Sequence, residues 1–318
     1  MARLPKHAVK RPKPRTCGAI GNAPPSSPAR LPSSRKKTSL PEGNELHRYS
    51  DLQQAAFAGQ IVNVDAPNGR FAAGAKLLNR RRLKSVEAFG KHLFYDFGKN
   101  RQLHVHLGLY GKFRDGAMPY PEPKGALRLR ISTATHWLEL RGPTACDVLS
   151  QEQRDELLAR IGPDPLRDDA DVNVVISRIA KSRTPVGALL MDQAVIGGLG
   201  NIYRAELLFR AKLNPFCPGN LVTLKQVTAL WKDAQTLMRA GMIDRRIVTT
   251  KPSDRPHKTG KARRFETHYV YKRKDLPCFL CNTKISMREF VGRKLYWCPT
   301  CQSADRLVVQ TNGGDAVS

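Results

Sequence analysis

The sequence predicts an α+β multidomain protein: an N-terminal β-sandwich with a flanking helix, a helical helix–two-turn–helix domain, and a C-terminal cysteine-paired hairpin. Three observations carry this. Short, partly alternating apolar runs fill residues 60–140, helical apolar spacing dominates beyond residue 172, and four of the seven cysteines fall in two close pairs, Cys278/Cys281 and Cys298/Cys301.

Each element follows from its local pattern. In 44–58, Leu46, Tyr49, Leu52, Ala56 and Phe57 stand near helical spacing. The runs IVNV, LKSVEAF, KHLFYDF, QLHVHLG, ALRLRIS and HWLELRG read as strands, with Gly90 and Gly98-Lys99-Asn100 as hairpin turns. The polar, Pro-bearing stretch 162–172 reads as a hinge. Thr184 followed by Pro185 suggests an N-cap with Pro in the first helical position. The turn Gly197-Gly198-Leu199-Gly200 leads into IYRAELLFRA, with Asn201 placed to cap it, and a longer helix is expected over about 223–240. A flexible basic connection is expected over 245–266. The domains expected are therefore 41–161 (sandwich), 173–266 (helical) and 267–303 (hairpin), with a loose tail over 304–318. Residues 1–40 are expected to be a disordered extension, because 1–39 is rich in Pro, Ser, Lys and Arg without acid or apolar period.

The net charge of +27, from 54 basic and 27 acidic residues, points to a polyanionic partner. Part of this excess lies in 1–39, but the remainder is still basic. No window has the apolar length of a membrane span. Cys278-x2-Cys281, a 16-residue spacer and Cys298-x2-Cys301 place two thiolate pairs on tight turns, a closed S4 set that suits one structural Zn²⁺. The other three cysteines are scattered, and Cys146 and Cys217 read as core thiols. Arg293, beside Gly292 near the hairpin tip, is the best phosphate contact of that module, whereas Arg288 and Lys294 read as solvated charges. The Gly197–Gly200 turn could cradle a phosphate at a helix N-terminus, although such turns are common. His104 and His106 alternate on one strand without a third ligand in view, so they read as strand histidines.

PEGNELHR (41–48), GKHLFYDF (90–97), HLGLYG (106–111), GPDPL (162–166), LLMDQAVIGGLGNIYRAELLFRA (189–211) and GR-x3-WCPTCQ (292–302) follow one another in order. Together they resemble the formamidopyrimidine-DNA glycosylase/endonuclease VIII family over about 41–303. The resemblance implies a bifunctional DNA glycosylase and abasic-site lyase of base excision repair, with damaged DNA in the cleft between domains.

It also implies roles for individual residues. Pro41 would be the nucleophile, because a free N-terminal proline is a secondary amine with a pKa of about 8, partly neutral at cellular pH. Its attack on the sugar C1′ would release the base and leave an iminium, opening the way to β,δ-elimination. Glu42 would be the general acid/base and Lys91 would hold a phosphate beside the lesion. Asn201 and Arg293 would complete that clamp, while Glu45 and Glu206 match acidic positions near the lesion pocket. Leu109 and Tyr110 would fill the gap left by the flipped nucleotide, unless they pack in the core. Without the resemblance, Lys91 reads as an exposed strand lysine and Glu206 as a surface helix residue. Leu109 stands where the purine branch has Met, and LRGPTAC lacks that branch's Arg/Phe loop. Oxidised pyrimidines are therefore favoured over oxidised purines.

An internal proline nitrogen is a tertiary amide and cannot attack. Leu40 stands where the family has its initiator Met, so translation from that codon followed by Met removal is expected to expose Pro41. A cleaved transit peptide, which would imply organelle import, is the alternative. A monomer in the cytoplasm or nucleoid is expected. The competing readings are a non-catalytic damage-binding protein of the same fold and an oxidised-purine glycosylase; an unrelated zinc-ribbon factor leaves PEGNELHR and HLGLYG unexplained.

Overall fold

A computed structural model describes residues 41–303. The expected extension over 1–40, with its start at Leu40, and the tail over 304–318 lie outside the described residues. Helix α1 (Gly43–Phe57) precedes nine strands: β1 (Ile61–Asp65), β2 (Arg81–Arg82), β3 (Ser85–Phe89), β4 (His92–Asp96), β5 (Gln102–His106), β6 (Lys112–Ala117), β7 (Leu127–Ser132), β8 (His136–Arg141) and β9 (Ala145–Leu149). They form two antiparallel sheets, in the orders β2-β1-β7-β8-β6 and β3-β4-β5-β9. Val62, Ile131, Leu138 and Leu140 from one sheet meet Val86, Leu93, Leu103 and Val105 from the other, and Leu46 and Tyr49 of α1 join this core. Burying such apolar side chains contributes roughly 1.5–3 kcal/mol each. The sandwich expected from the sequence is present.

Two helices in and beside this region escape the strand-like reading. α2 (Ala72–Leu78) sits between β1 and β2, and α3 (Gln151–Ala159) follows β9. α3 carries a Ser150/Gln153 capping box but buries no residue, so it has no apolar stripe to betray it.

The helical part comprises α4 (Val172–Ala180), α5 (Val186–Leu189), α6 (Asn201–Arg210) and α7 (Leu224–Asp244). Val175, Leu190, Ile196, Leu208, Trp231 and Met238 share its core. Thr223 caps α7 through a capping box with Gln226, and the helix runs four residues past the expected Ala240 to Asp244. Two expectations shift. Pro185, not Thr184, is the N-cap of α5, and the helix is a single turn. The 245–266 connection is ordered: Arg246 donates to the Ala262 carbonyl, Thr249 N–H to Thr267, and Glu266 accepts from Arg263 and His257. Side chains, rather than a regular ladder, satisfy this backbone, which is why no periodicity announced it.

The last module is the hairpin β10 (Ser286–Phe290) and β11 (Arg293–Trp297). Val291 and Gly292 both have positive φ, the geometry of a tight two-residue hairpin turn. The described residues all belong to one compact contact unit.

Candidate active site

Four chain segments converge where α1 begins. Pro41 is buried and leads directly into Glu42, which is 3% exposed. The Glu42 carboxylate accepts from the backbone N–H groups of Gly200 (3.1 Å), Ile202 (2.7 Å) and Tyr203 (3.4 Å). These are orphan donors at the N-terminus of α6, and the positive end of that helix favours an anion. A Cβ on Gly200 would stand 2.7 Å from the Glu42 carboxyl carbon, so glycine is required for this close approach.

The expected cap is thereby corrected. Asn201 is the first helical residue, Gly200 occupies the N-cap position, and Glu42 does the capping from another segment. The freed Asn201 side chain turns to the hairpin, donating to the Lys294 carbonyl at 2.9 Å. Its Oδ1 accepts from Arg204, a fully buried guanidinium that also donates to the Phe290 carbonyl at 3.4 Å. Asn201 thus stands at the base of the hairpin turn that exposes Arg293. Tyr271 joins the group with its hydroxyl bonded to Asn201; burial, then the nearby Glu42 charge, pushes that hydroxyl up to about 12.

Lys91 occupies the β3–β4 turn, whose bend requires the positive φ of Gly90. It is not an exposed strand lysine: its Nζ donates to the Leu199 carbonyl at 2.5 Å, and Gln193 donates to the same oxygen at 2.9 Å. Burial lowers the Lys91 pKa, with the Glu42 charge opposing and Arg293 assisting. Burial raises the Glu42 pKa, opposed first by Lys91 and then by the three N–H donors. Each group holds the other nearer its charged form, while the dry surroundings push both towards neutrality. Burial thus brings the two groups' proton affinities closer together, the direction a general acid/base pair requires.

Of the remaining candidates, Glu45 lies one turn along α1 from Glu42, beside Arg48 at 3.8 Å. Leu109 and Tyr110 do not pack in the sandwich core; they are 49% and 83% exposed on the loop after β5. Glu206 departs from its expected place. It is fully buried and accepts from the N–H groups of Tyr269 (2.7 Å), Val270 (2.9 Å) and Tyr271 (2.8 Å), and from the Thr249 hydroxyl. Its oxygens are engaged by the chain leading to the hairpin, so that Glu206 anchors that segment. The sequence reading also missed Arg204 and Tyr271, for which no local pattern was available.

The cysteine sulfurs of residues 278, 281, 298 and 301 all lie within 4.8 Å of one another, with 3.9 Å between Cys278 and Cys301 and 3.4 Å between Cys281 and Cys298. Four sulfurs about 2.3 Å from a tetrahedral ion are separated by about 3.8 Å, so the set fits a metal. Leu280 N–H points at Cys278 Sγ and Cys301 N–H at Cys298 Sγ, each at 3.4 Å, donors that favour thiolates. His92 joins His104 at 2.8 Å, stacked on its ring, and lies tilted beside His106. Among the described residues, however, only the cysteines converge as a possible metal set. Cys146 and Cys217 are buried thiols, as expected. Arg288 stacks over Phe216 at 3.7 Å, so it is more than a solvated charge.

A β-sandwich joined through a helix–two-turn–helix domain to a four-cysteine hairpin, with an acid–lysine pair at their junction, defines a DNA repair glycosylase. The formamidopyrimidine-DNA glycosylase N-terminal domain matches residues 40–144, and the formamidopyrimidine-DNA glycosylase H2TH domain matches 161–252. "Endonuclease 8 1" of Mycobacterium tuberculosis is 43% identical over 278 residues, covering 83% of this chain and all of the relative. The formamidopyrimidine-DNA glycosylase of Thermus thermophilus is 32% identical over 245 residues, covering 76% and 90%. A solved complex between the Lactococcus lactis Fpg and an abasic site containing DNA shares the fold, with a TM-score of 0.68 at 23% identity, covering 82% of this chain and 99% of that one. The chain belongs to the formamidopyrimidine-DNA glycosylase/endonuclease VIII family of base excision repair glycosylases. No described helix is long and apolar enough to cross a membrane.

Proposed function

We propose that the protein is a bifunctional glycosylase and abasic-site lyase that uses the nitrogen of Pro41 as its nucleophile. The observation that carries this reading is the Glu42 carboxylate: it adjoins Pro41, is buried, and faces Lys91. The Pro41 nitrogen forms a bond to C1′ while the bond to the damaged base breaks, and the base leaves with the proton that the amine gives up. Glu42 delivers a proton to the ring oxygen as the sugar opens, and the nitrogen lone pair forms the iminium. Loss of a C2′ proton then expels the 3′ phosphate, and the conjugated product loses its C4′ proton and expels the 5′ phosphate in a second elimination. Lys91, Asn201 and Arg293 hold the phosphates around the lesion, and Leu109 and Tyr110 enter the space the nucleotide leaves.

Oxidised pyrimidines are the favoured substrates. The higher identity to an endonuclease 8 than to formamidopyrimidine-DNA glycosylases supports this, as do the exposed Leu109 and Tyr110. The cysteine set would hold one structural zinc ion, which ties the hairpin bearing Arg293 into a rigid unit. The protein acts on damaged DNA as a monomer in the cytoplasm or nucleoid. Residue 40 opens the matched domain, and the chemistry requires Pro41 to be N-terminal.

The test compares the 1–318 chain with one beginning at Pro41 on duplexes carrying an abasic site, an oxidised pyrimidine or 8-oxoguanine. Borohydride is expected to trap a covalent adduct only with the shorter chain, and cleavage is expected to favour the pyrimidine. An adduct from the verified, unprocessed 1–318 chain sinks the Pro41 assignment. Binding without an adduct from the shorter chain supports a non-catalytic damage binder instead.

A further inference from the structure

The GPDPL stretch, expected to be part of a hinge, contains a fully buried carboxylate that the chemistry above does not use. Asp164 is 0% exposed. Its Oδ2 accepts from the backbone N–H of Gly90 at 2.6 Å and lies 2.7 Å from His47 Nε2, while its Oδ1 accepts from Leu166 N–H at 2.9 Å. The neighbouring backbone extends the junction: Gly197 N–H donates to the Pro163 carbonyl at 2.9 Å, and Gly43 N–H to the Gly198 carbonyl at 2.8 Å. One buried carboxylate therefore joins the turn that presents Lys91 to the helix that begins after Pro41 and Glu42. Both meet the glycine turn whose Leu199 carbonyl receives the Lys91 amine.

We propose that Asp164 is a positioning residue for the reaction, one that fixes Lys91 and Glu42 relative to each other and reaches no substrate itself. This rests on the functional reading above. A carboxylate is the group that suits this place, because the Gly90 amide and the His47 imidazole both converge on one oxygen. An amide side chain would have to turn its NH₂ towards one set of these donors. The displaced turn would then carry Lys91 away from Leu199 and Glu42. Misplacing a catalytic group by about 1 Å can cost about 100-fold in rate. His47 shares the role from the other side: Gln in its place keeps an N–H donor for Asp164, whereas Ala does not.

Two measurements decide the matter. In the chain beginning at Pro41, Asp164→Asn is expected to slow single-turnover cleavage of abasic-site DNA by about 10- to 100-fold while changing DNA affinity less than about threefold. His47→Ala should show a smaller loss with the same split, and His47→Gln should recover most of it. In the 1–318 chain, amide hydrogen exchange of the peptide spanning Gly90 and Lys91 is expected to accelerate in Asp164→Asn, with exchange in the β7–β8 pair unchanged. Unaltered exchange at Gly90, or a rate loss that tracks only the loss of folded protein, overturns the proposal. So does equal activity of the Ala and Gln variants of His47. If the parent chain cleaves no DNA, the functional reading fails, and the exchange result still decides whether Asp164 holds the turn.

Discussion

Glu42 and Glu206 are two buried glutamates in nearly the same local chemistry, and they lead to opposite uses. Each accepts from three backbone N–H groups, Glu42 at the start of α6 and Glu206 from residues 269–271. Around Glu206 the three bonds are uniformly short, at 2.7–2.9 Å, and a hydroxyl is added. Around Glu42 they spread from 2.7 to 3.4 Å, and Lys91 stands alongside. A saturated carboxylate is an anchor. Glu42, with one acceptance fewer and a desolvated amine alongside, has a pKa raised by burial, the direction an acid/base group needs.

That contrast is sharpest in paired substitutions. Glu42→Gln, isosteric and still able to accept two of the N–H groups, is expected to lower the glycosylase rate by about 100-fold or more with little change in unfolding free energy. Glu206→Gln is expected to cost about 3 kcal/mol in urea unfolding, because buried donors lose their acceptor, with activity falling only as folded protein is lost. A Glu206→Gln protein of full stability but no activity would return Glu206 to the lesion pocket.

Smaller effects probe the two rims of the site. Chelation of the zinc proposed for the cysteine set should melt the hairpin and weaken DNA binding by about tenfold through loss of Arg293 and the Asn201–Lys294 contact, while the sandwich circular dichroism persists. Replacing Leu109 and Tyr110 together by Ala should slow base release from duplex DNA by about tenfold, yet spare single-stranded substrates; exposed positions such as these should leave the melting temperature within about 2 °C.

The smallest expected effect concerns the histidines behind Lys91. Burial, then the neighbouring His106, His104 and Lys91 charges, pulls His92 down to about 3; burial, opposed by Asp147, pulls His104 down to about 4. An unfolded imidazole takes up its proton near pH 6.5, whereas the folded one refuses it. Their contribution to stability is therefore complete above pH 6.5 and declines as the pH falls towards 4. Thermal melts between pH 7 and 4.5 should show a shallower decline for His104→Gln than for the parent.

The same comparison explains what could be read in the sequence. The cysteine pairs and the α7 helix were legible because their determinants are local: two residues between ligands, and a 3.6-residue apolar period beginning at Thr223. Pro41, Glu42 and Lys91 were singled out by motif order rather than chemistry, and the fold brings Glu42 and Lys91 together. The cap of α6 was not, because Asn201 has the right residue type, yet Glu42 takes its place from 158 residues away. The burial of Glu206 was not legible for the related reason that its partners at 269–271 lie in an irregular segment. Arg204, Tyr271 and Asp164 acquire their places only when separate segments meet.

The central claim is that the nucleophile is the Pro41 nitrogen rather than the nearby, desolvated Lys91 amine. Peptide mass mapping of the borohydride-trapped adduct, formed by the chain beginning at Pro41 on abasic-site DNA, tests it directly. The expected result is a sugar remnant on the N-terminal peptide, located on Pro41, with Lys91 unmodified. A remnant on Lys91 would contradict the assignment.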